Sequence, residues 1–324
     1  MNRLVLIDGN AVMHRAYHAL PPLTAPDGKI VNVVYGFVSM MIKIASDLQP
    51  THIAVAFDRP GKTFRDELFS GYQIQRPKME DDFISQIALV HDVVARCSVP
   101  IFELDGFEAD DMIGTIAQQV LDGLTMPSDG MVDQVVIITG DRDILQLVVD
   151  EKILVFMPTK GLSEGKLYGE KEVVERMGVL PPLIIDLKAL MGDASDNYPG
   201  VAGIGPKTAL QLLKDHGSVE SIYAHIDAIE SAGIKAKLIA GKESAMLGKT
   251  LATIRRDAPI VFDAGAARIE TLNTPSMRSL LETYRFSSLF RRLTGEEPHF
   301  GKAAKKEKPS VSKKDSGKEQ QSLF

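Results

Sequence analysis

Short apolar runs rich in β-branched residues alternate with segments of helical periodicity along the first half of the chain. The apolar runs predict strands at Leu4–Ile7, Ile53–Phe57, Val99–Leu104, Val135–Thr139 and Ile153–Phe156. Apolar residues with helical spacing predict helices at about 11–19, 33–46, 82–97 and 108–121. Strands that are apolar on both faces and that alternate with helices favour an α/β fold built on a mainly parallel sheet.

Acidic residues gather where the predicted strands end, and two further acids share one turn later in the chain. The set is Asp8, Asp58, Glu108, Asp110, Asp111, Asp141, Asp143, Asp193 and Asp196. Because the carboxyl ends of parallel strands face one edge of a sheet, acids far apart in sequence are expected to meet there. Helix capping accounts for a single strand-end Asp, but it needs neither doubled acids nor their confinement to strand ends.

Oxygen ligands alone suit Mg²⁺, with Mn²⁺ as the alternative. Two such ions ~3.5–4 Å apart activate a water and stabilise the leaving oxygen of a phosphodiester. The acidic pattern therefore predicts a two-metal hydrolytic site. The competing interpretation is a zinc site at His14 and His18, which stand four residues apart, but no third ligand lies nearby in the sequence.

The net charge of −6 does not exclude a nucleic-acid partner. Without the nine acids the chain would carry a net positive charge, and acids that hold divalent ions need not repel a polyanion. The single cysteine, Cys97, excludes a disulfide framework and favours a reducing, cytoplasmic compartment. We expect no secretory signal, and no apolar run approaches the ~18 residues that span a bilayer.

Basic and aromatic residues are interleaved directly after Asp58, in the segment RPGKTFRDELFSGYQIQRPKM at 59–79. Lysine and arginine contact phosphates, and aromatic rings stack on unpaired bases. We therefore expect this segment to contact single-stranded nucleic acid through basic residues that include Lys62, Arg65 and Lys78. The alternative is a solvated surface loop with a few core anchors.

Helical periodicity continues from about residue 166 to 300 without a convincing strand, which predicts a smaller α-helical domain. A glycine-rich turn, Gly200–Gly205, leads into a helix that starts at Pro206. Pro206 and the lack of a preceding strand exclude a P-loop. Backbone N–H groups at such a helix start suit a DNA backbone phosphate, as in helix-hairpin-helix elements. The expected contacts come from Gly203, Gly205, Lys207 and Thr208; an ordinary tight turn is the alternative.

These blocks together resemble the 5′ nuclease family, which includes the N-terminal 5′→3′ exonuclease domain of bacterial DNA polymerase I and stand-alone bacterial flap endonucleases. The resemblance runs from about residue 2 to 292 and rests on LIDGN, HRAYHAL, FDRPGKTFRDELF, FEADDMIGT, ITGDRDILQLV, LMGDASDNYPGVAGIGPKTA and YRFSSLFRRL. It implies a PIN-like core over 1–165 with a helical arch at about 59–80. It also implies a helical DNA-binding domain over 166–300 that contains a helix–three-turn–helix.

The resemblance further implies residue roles. Asp8, Asp58, Glu108, Asp110 and Asp111 would serve a first metal, and Asp141, Asp143, Asp193 and Asp196 a second. Tyr72 would stand near the scissile nucleotide, and Arg15 near the substrate phosphate. The helix–three-turn–helix would grip the duplex backbone and hold K⁺ on its carbonyls.

The chain departs from the family in two ways. Family members commonly carry a lysine directly after the arch tyrosine, whereas this chain has Gln73, so Arg76 or Lys78 would have to supply that charge. No polymerase domain follows, which is expected of either a stand-alone nuclease or a piece of a longer chain. The lysine-rich residues 301–324 predict a disordered tail.

The end of this tail resembles the bacterial sliding-clamp-binding peptide, with Gln321 in place of Leu. The expected clamp contacts are Gln320, Leu323 and Phe324, because an apolar pair on a hydrophilic linker can fill a hydrophobic pocket. A chance apolar terminus is the alternative.

We therefore predict a Mg²⁺-dependent, structure-specific 5′→3′ exonuclease and flap endonuclease. It would act as a monomer at the bacterial nucleoid, leave 5′-phosphates, and remove flaps and RNA primers in replication and repair. One alternative is a catalytically weak DNA-binding partner of the clamp, in which Gln73 marks decay. Another is a metal-dependent ribonuclease on the same core.

Overall fold

Eight strands are present in the structure, a computed structural model that describes residues 1–124, 131–160 and 164–298. They are β1 (Arg3–Asp8), β2 (His52–Ala56), β3 (Ile101–Phe102), β4 (Gln134–Ile138), β5 (Ile153–Lys160), β6 (Glu164–Tyr168), β7 (Gly192–Asp193) and β8 (Tyr198–Pro199). The first six form one sheet in the order β3-β2-β1-β4-β5-β6, while β7 and β8 pair with each other. Within the large sheet β6 is antiparallel to β5, and all other neighbours are parallel.

Helices cover both faces of this sheet and form the second half of the molecule. Over the same described residues they are α1 (Gly9–Ala19), α2 (Asn32–Leu48), α3 (Phe64–Leu68), α4 (Asp81–Arg96), α5 (Ala109–Leu121), α6 (Glu170–Met177), α7 (Ile184–Met191), α8 (Pro206–His216), α9 (Val219–Ala224), α10 (Ala232–Ala240), α11 (Lys242–Ala252), α12 (Ala264–Ala267), α13 (Pro275–Thr283) and α14 (Ser287–Thr294). The part of the chain that the structure describes also contains 3₁₀ turns at Asp143–Leu147, Pro181–Leu183 and Ile226–Ala228. None of the described helices combines the length and the apolar character needed to cross a bilayer.

Alternate residues of each central strand enter two different hydrophobic clusters. Leu4 and Leu6 of β1 enter a cluster that contains residues of α5 and of the helices α7–α11. Val5 and Ile7 enter a second cluster, which contains residues of α1, α2 and α4. Because both faces are buried, the strands are continuous apolar runs in the sequence, and the predicted parallel α/β fold is confirmed.

The prediction that no strand lies beyond residue 165 was wrong. β6 extends to Tyr168 and pairs with β5, so a domain boundary at 165 falls inside a strand of the large sheet. The two-residue strands β7 and β8 are too short to produce the period-two pattern by which a strand is recognised.

Residues beyond α11 return to the large sheet. The Ile269 N–H donates to the Thr51 carbonyl beside β2, at 2.9 Å. In α13 and α14, Leu281, Leu289 and Phe290 are buried in the second cluster. The end of the predicted helical domain therefore packs on the α/β part of the molecule. The predicted tail, with Gln320, Leu323 and Phe324, lies outside the described residues.

Candidate metal centre

Two of the predicted acids meet at the ends of neighbouring strands. Asp8 ends β1, where its Oδ1 accepts a hydrogen bond from the Ala11 N–H at 2.9 Å and its Oδ2 accepts one from Thr139 Oγ1 at 2.6 Å. Asp58 follows β2, and its Oδ1 accepts a hydrogen bond from the Ala109 N–H at 2.7 Å. The parallel register of β1 and β2 thus carries both acids to one edge, and the start of α5 joins them there.

Helix α5 adds Glu108 and Asp110 to this edge. Glu108 is the N-cap residue of α5, and Asp110 lies in the first turn of the helix. Burial raises the pKa of Asp110, and the charges of Asp141 and Asp8 raise it further. Carboxylates from β1, from the end of β4 and from α5 therefore face one another.

Asp8, Asp58, Glu108 and Asp110 form the first acidic group, and a second acidic group lies beside it. It joins Asp143, at the start of a 3₁₀ turn, to Asp193 and Asp196, and one oxygen of each lies within 4.8 Å of the others. Gly192 makes this placement possible, because its φ is +76° and a Cβ there would lie 2.5 Å from the Gly200 nitrogen. Since only glycine adopts this conformation at low cost in so narrow a space, Gly192 fixes the position of the Asp193 turn.

Lys188 of α7 was missed by the sequence analysis. Its ammonium forms ion pairs with both Asp143 and Asp193, and its side chain is 15% exposed. The available signal was its place one helical turn before the Gly192–Asp193 turn, but a lysine in an amphipathic helix is usually a surface residue. A cation held between two carboxylates indicates that this point of the structure favours positive charge.

Burial raises the pKa of Asp8, Glu108 and Asp143 to about 7 in each case. The charge of Asp141 raises the pKa of Asp143 further, while the Lys188 ammonium acts in the opposite direction. Burial would also raise the pKa of Asp193, but Lys188 holds it below its ordinary value. Acids this close repel one another when ionised, so the centre gains stability from added cations.

The donor set fits divalent metal ions. Every predicted ligand is a carboxylate, which is the ligand class of Mg²⁺ and Mn²⁺. The Lys188 ammonium already occupies a bridging position between two of these carboxylates. The histidine pair offers no comparable arrangement, since the His14 ring stacks on Phe83 at 4.6 Å and burial lowers the pKa of His14.

The segment predicted as a helical arch is mostly non-helical. Only α3 is helical within residues 59–79, and the glycine and proline residues of the segment interrupt longer helices. The segment crosses the second acidic group. Gln73 Nε2 donates to Asp196 Oδ1 at 3.1 Å, and Arg76 Nη2 donates to the same oxygen at 3.0 Å. Arg76 thereby supplies a positive charge next to a position where Gln73 has none.

Tyr72 lies against the first acidic group. Its side chain is buried, and its hydroxyl donates to Glu108 Oε2 at 3.4 Å. Burial raises the pKa of Tyr72, and the charge of Glu108 raises it further. Tyr72 is therefore a neutral hydrogen-bond donor at physiological pH.

Arg65 does not take the DNA-facing position that was predicted for it, and its partner is Asp111. Arg65 is 2% exposed, so its guanidinium does not face solvent or DNA. It forms a bidentate ion pair with Asp111, from Nη1 at 2.8 Å and from Nη2 at 2.9 Å. Arg65 was predicted to contact DNA because it lies among the basic residues of the segment. Its burial could not be predicted, because the partners that bury it are distant in sequence.

The other predicted DNA contacts lie at the surface. Lys62 and Lys78 are exposed, and Arg15 on α1 is partly buried, which lowers its pKa. At the start of α8 Gly203, Gly205 and Lys207 are exposed and Thr208 is partly buried. Lys237 of α10 was not predicted here, but its Nζ donates to the Gly203 carbonyl at 3.1 Å.

Two family models match adjoining parts of the chain. The first, described as 5′-3′ exonuclease, N-terminal resolvase-like domain, matches residues 3–178. The second, described as 5′-3′ exonuclease, C-terminal SAM fold, matches residues 179–275. Their junction falls after α6, later than the predicted boundary at 165.

Similar curated proteins include two bacterial DNA polymerases I. That of Bacillus subtilis (strain 168) is 38% identical over 295 residues, which are 91% of this chain and 32% of the relative. That of Geobacillus stearothermophilus is 44% identical over 305 residues, which are 93% of this chain and 34% of the relative. The chain thus spans about a third of the length of these relatives.

Similar solved structures come from bacteriophage T5. One, described as T5 5′-exonuclease with bound divalent zinc ions, has a TM-score of 0.64 at 23% identity, covering 78% of this chain and 89% of that chain. Another, described as a D15 flap endonuclease complex with DNA and metal ions, has a TM-score of 0.63 at 24% identity with the same coverage. These similarities show a shared fold.

Proposed function

The chain belongs to the 5′-3′ exonuclease family, and we propose that it is a Mg²⁺-dependent 5′ nuclease that cuts DNA at 5′ flaps, nicks and gaps. The observation that carries this proposal is the convergence of acids from strand ends, from α5 and from the β7–β8 turn at one edge of the sheet. The bacteriophage T5 protein of the same fold, described in complex with DNA and metal ions, supports DNA as the substrate.

The proposed metal ligands divide into two groups. Asp8, Asp58, Glu108 and Asp110 would hold one Mg²⁺, and Asp141, Asp143, Asp193 and Asp196 the other, with Mn²⁺ as a replacement for either. Bound divalent ions supply an activated water and stabilise the leaving oxygen of the phosphodiester. Glu108 and Asp143, whose pKa values lie at about 7, would bind such ions in their ionised form.

Side chains of the 59–79 segment and of α1 would orient the substrate at this centre. In the proposed site Arg76 and Arg15 would neutralise the scissile phosphate, and Tyr72 would lie near the scissile nucleotide with its hydroxyl on Glu108. Lys62 and Lys78 are exposed and would contact the 5′ single strand. Negative charge develops on the phosphate oxygens in the transition state. Positive charges held near the reacting phosphate therefore stabilise the transition state more than the ground state.

The turn before α8 would bind the duplex. The N–H groups of Gly203 and Gly205 and the side chains of Lys207 and Thr208 would contact one backbone phosphate. We include Lys237 in this set, because its ammonium reaches the Gly203 carbonyl. K⁺ on the carbonyls of this turn is part of the proposal. Replacing KCl with tetramethylammonium chloride should then weaken duplex binding, and equal binding in both salts would remove K⁺ from the proposal.

Cleavage of a labelled 5′-flap duplex tests the proposed activity. Purified protein should cut near the flap junction with Mg²⁺ or Mn²⁺ and not with EDTA. Asp141→Asn should abolish cutting, whereas Asp122→Asn, at the exposed end of α5, should cut as the wild type does. Tight flap binding without cutting in either metal would favour the catalytically weak DNA-binding protein instead. Cutting of a matched RNA substrate in place of DNA would favour a ribonuclease.

A sliding clamp is the proposed protein partner, reached through Gln320, Leu323 and Phe324. This terminus lies outside the described residues, so the support is the sequence alone. A chain that ends at residue 319 should lose clamp binding in a pull-down and keep flap cleavage; unchanged binding would reject the clamp contact. Similarity to bacterial DNA polymerase I supports action in the cytoplasm. Action as a monomer and at the nucleoid is part of the same proposal.

A further inference from the structure

Four of the five N–H groups of the Arg65 guanidinium donate hydrogen bonds. Two of the acceptors are the carboxylate oxygens of Asp111 and two are backbone carbonyls. The Nε donates to the Leu251 carbonyl at 3.0 Å, and Nη2 donates to the Thr253 carbonyl at 3.1 Å. Nη1 and Nη2 also donate to the two oxygens of Asp111, and Nη1 forms an ion pair with Glu108 Oε2 at 3.3 Å. These partners and its 2% exposure hold the guanidinium away from a DNA phosphate.

Asp111 is saturated with hydrogen bonds. Its side chain is 0% exposed, and each of its oxygens accepts one hydrogen bond from Arg65. Oδ1 also accepts from the Arg255 N–H at 2.9 Å, and Oδ2 from the Glu108 N–H at 3.1 Å. A carboxylate has about four lone-pair sites, so these bonds leave none for a metal ion.

We infer that Arg65 and Asp111 are positioning residues for the reaction. Together they fix the base of the 59–79 segment to the start of α5 and to the chain that follows α11. This inference rests on the proposed nuclease function and removes Asp111 from the metal ligands and Arg65 from the DNA contacts.

The position of this pair explains why it matters for the site. Asp111 lies in the first turn of α5 next to Asp110, and Arg65 contacts Glu108, so the pair holds two proposed ligands. Arg65 lies on α3, seven residues before Tyr72, and therefore also sets where the segment crosses the acids. A buried ion pair adds little net stability but strongly disfavours geometries in which one charge loses its partner.

Two single variants separate positioning from metal binding. Asp111→Asn places an amide N–H₂ against the donors of Arg65, and Arg65→Lys keeps the charge but loses the fork geometry. Asp110→Asn removes a proposed ligand one residue away. Arg96→Lys and Asp92→Asn alter an exposed i,i+4 ion pair on α4 and serve as matched controls.

Three measurements are made on each full-length variant: Mn²⁺ affinity by titration calorimetry, hydrogen exchange of residues 63–76, and flap Kd with single-turnover kcat. Asp111→Asn and Arg65→Lys should keep Mn²⁺ affinity within about 3-fold, exchange faster over 63–76 and lose ~100-fold in kcat, since ~1 Å of misplacement costs about that much. Flap Kd should change far less than kcat. Asp110→Asn should lose Mn²⁺ affinity with little change in exchange.

Loss of Mn²⁺ affinity in Asp111→Asn equal to that in Asp110→Asn would overturn the inference, and so would wild-type exchange and kcat in both single variants. If the single variants do not fold, the double variant Arg65→Met with Asp111→Leu removes both charges. It should bind Mn²⁺ as the wild type does and still exchange rapidly over 63–76; slow exchange there would reject the pair as the anchor. Because affinity and exchange need no cleavage, failure of the wild type to cut would reject the nuclease function alone.

Discussion

Arg76 brings a guanidinium to Asp196 at the point where Gln73 offers no charge. We expect Arg76→Gln to lower single-turnover cleavage about 10²-fold, because loss of one electrostatic contact to a transition state costs about 10²–10³-fold. Arg76→Lys should retain most of the rate because it keeps the charge. Arg96→Gln, on the exposed surface of α4, is the control and should cut normally. Equal rates for Arg76→Gln and the wild type would show that another cation neutralises the phosphate.

The acidic cluster predicts an unusual pH dependence of stability. The pKa values of Asp8, Glu108 and Asp143 are about 7 in the folded protein, against ordinary values of 3.8 for Asp and 4.5 for Glu. The folded state thus binds more protons than the unfolded state between these values, so its free energy of unfolding falls as pH rises from ~4 to ~7.

In EDTA, the stabilisation of the folded protein by these acids should decline between pH 5 and pH 7. Thermal unfolding measures this decline as a fall in Tm. Added Mg²⁺ binds the ionised acids, so the rise in Tm that it causes should grow over the same range. Asp8→Asn removes one of these titrating groups and should flatten the EDTA profile. A Mg²⁺ effect that is the same at pH 5.5 and pH 8 would contradict this assignment.

At the residue scale, the sequence indicated where acids gather but not which residues would be their partners, and the role of the acids as metal ligands stays a prediction. The acids were predictable because parallel strands end at one edge whatever the details of packing. The partners of Arg65 were not, since it meets carbonyls at Leu251 and Thr253, which lie far along the chain. Whether a basic residue faces DNA or a buried carboxylate depends on tertiary packing that one segment does not encode.

At the scale of elements, the turn between β7 and β8 depends on Gly192. Gly192→Ala would force a side chain into the left-handed region and to within 2.5 Å of the Gly200 nitrogen. We expect a loss of stability of ~1–3 kcal/mol or more and weaker binding of the second divalent ion, because Asp193 would shift. Calorimetric Mn²⁺ titration and thermal unfolding measure both effects.

Gly233→Ala is the matched control for that substitution. Gly233 lies in α10, its φ is not left-handed, and a Cβ there would meet no atom within 4 Å. It should leave Mn²⁺ binding unchanged and raise stability by up to ~1 kcal/mol, as expected for alanine in a helix. If both variants behave alike, the geometry of the β7–β8 turn does not control the second acidic group.

The elements that were not predicted correctly share a physical property: their own sequence does not carry the apolar pattern of a buried strand or helix. Strand β6 is mostly exposed and polar, so it lacks the apolar run that marked the buried strands. The 59–79 segment was expected to be a helical arch, but its short helix α3 ends where Phe69 adopts an extended conformation. Elements whose form depends on contacts with the rest of the molecule, rather than on their own apolar period, are the ones that a single sequence leaves open.

At the scale of the whole molecule, the chain closes on itself through α13 and α14. Their buried apolar side chains cover the face of the sheet that α2 and α4 share. These side chains are Met277, Leu280, Leu281, Leu289 and Phe290. Burial of each contributes ~1.5–3 kcal/mol, so together they contribute on the order of 10 kcal/mol. That is comparable with the whole net stability of a typical domain, ~5–15 kcal/mol.

Two truncations test this role of the C-terminal helices. A chain that ends at residue 274 should fail to fold cooperatively or should aggregate, even though it keeps every proposed metal ligand and nearly all of both matched family regions. A chain that ends at residue 298 retains α14 and should unfold at the wild-type Tm and cut flaps at the wild-type rate. Thermal unfolding followed by circular dichroism compares them. A stable, cooperative 1–274 chain would mean that the sheet face is self-sufficient and that α13 and α14 serve another purpose.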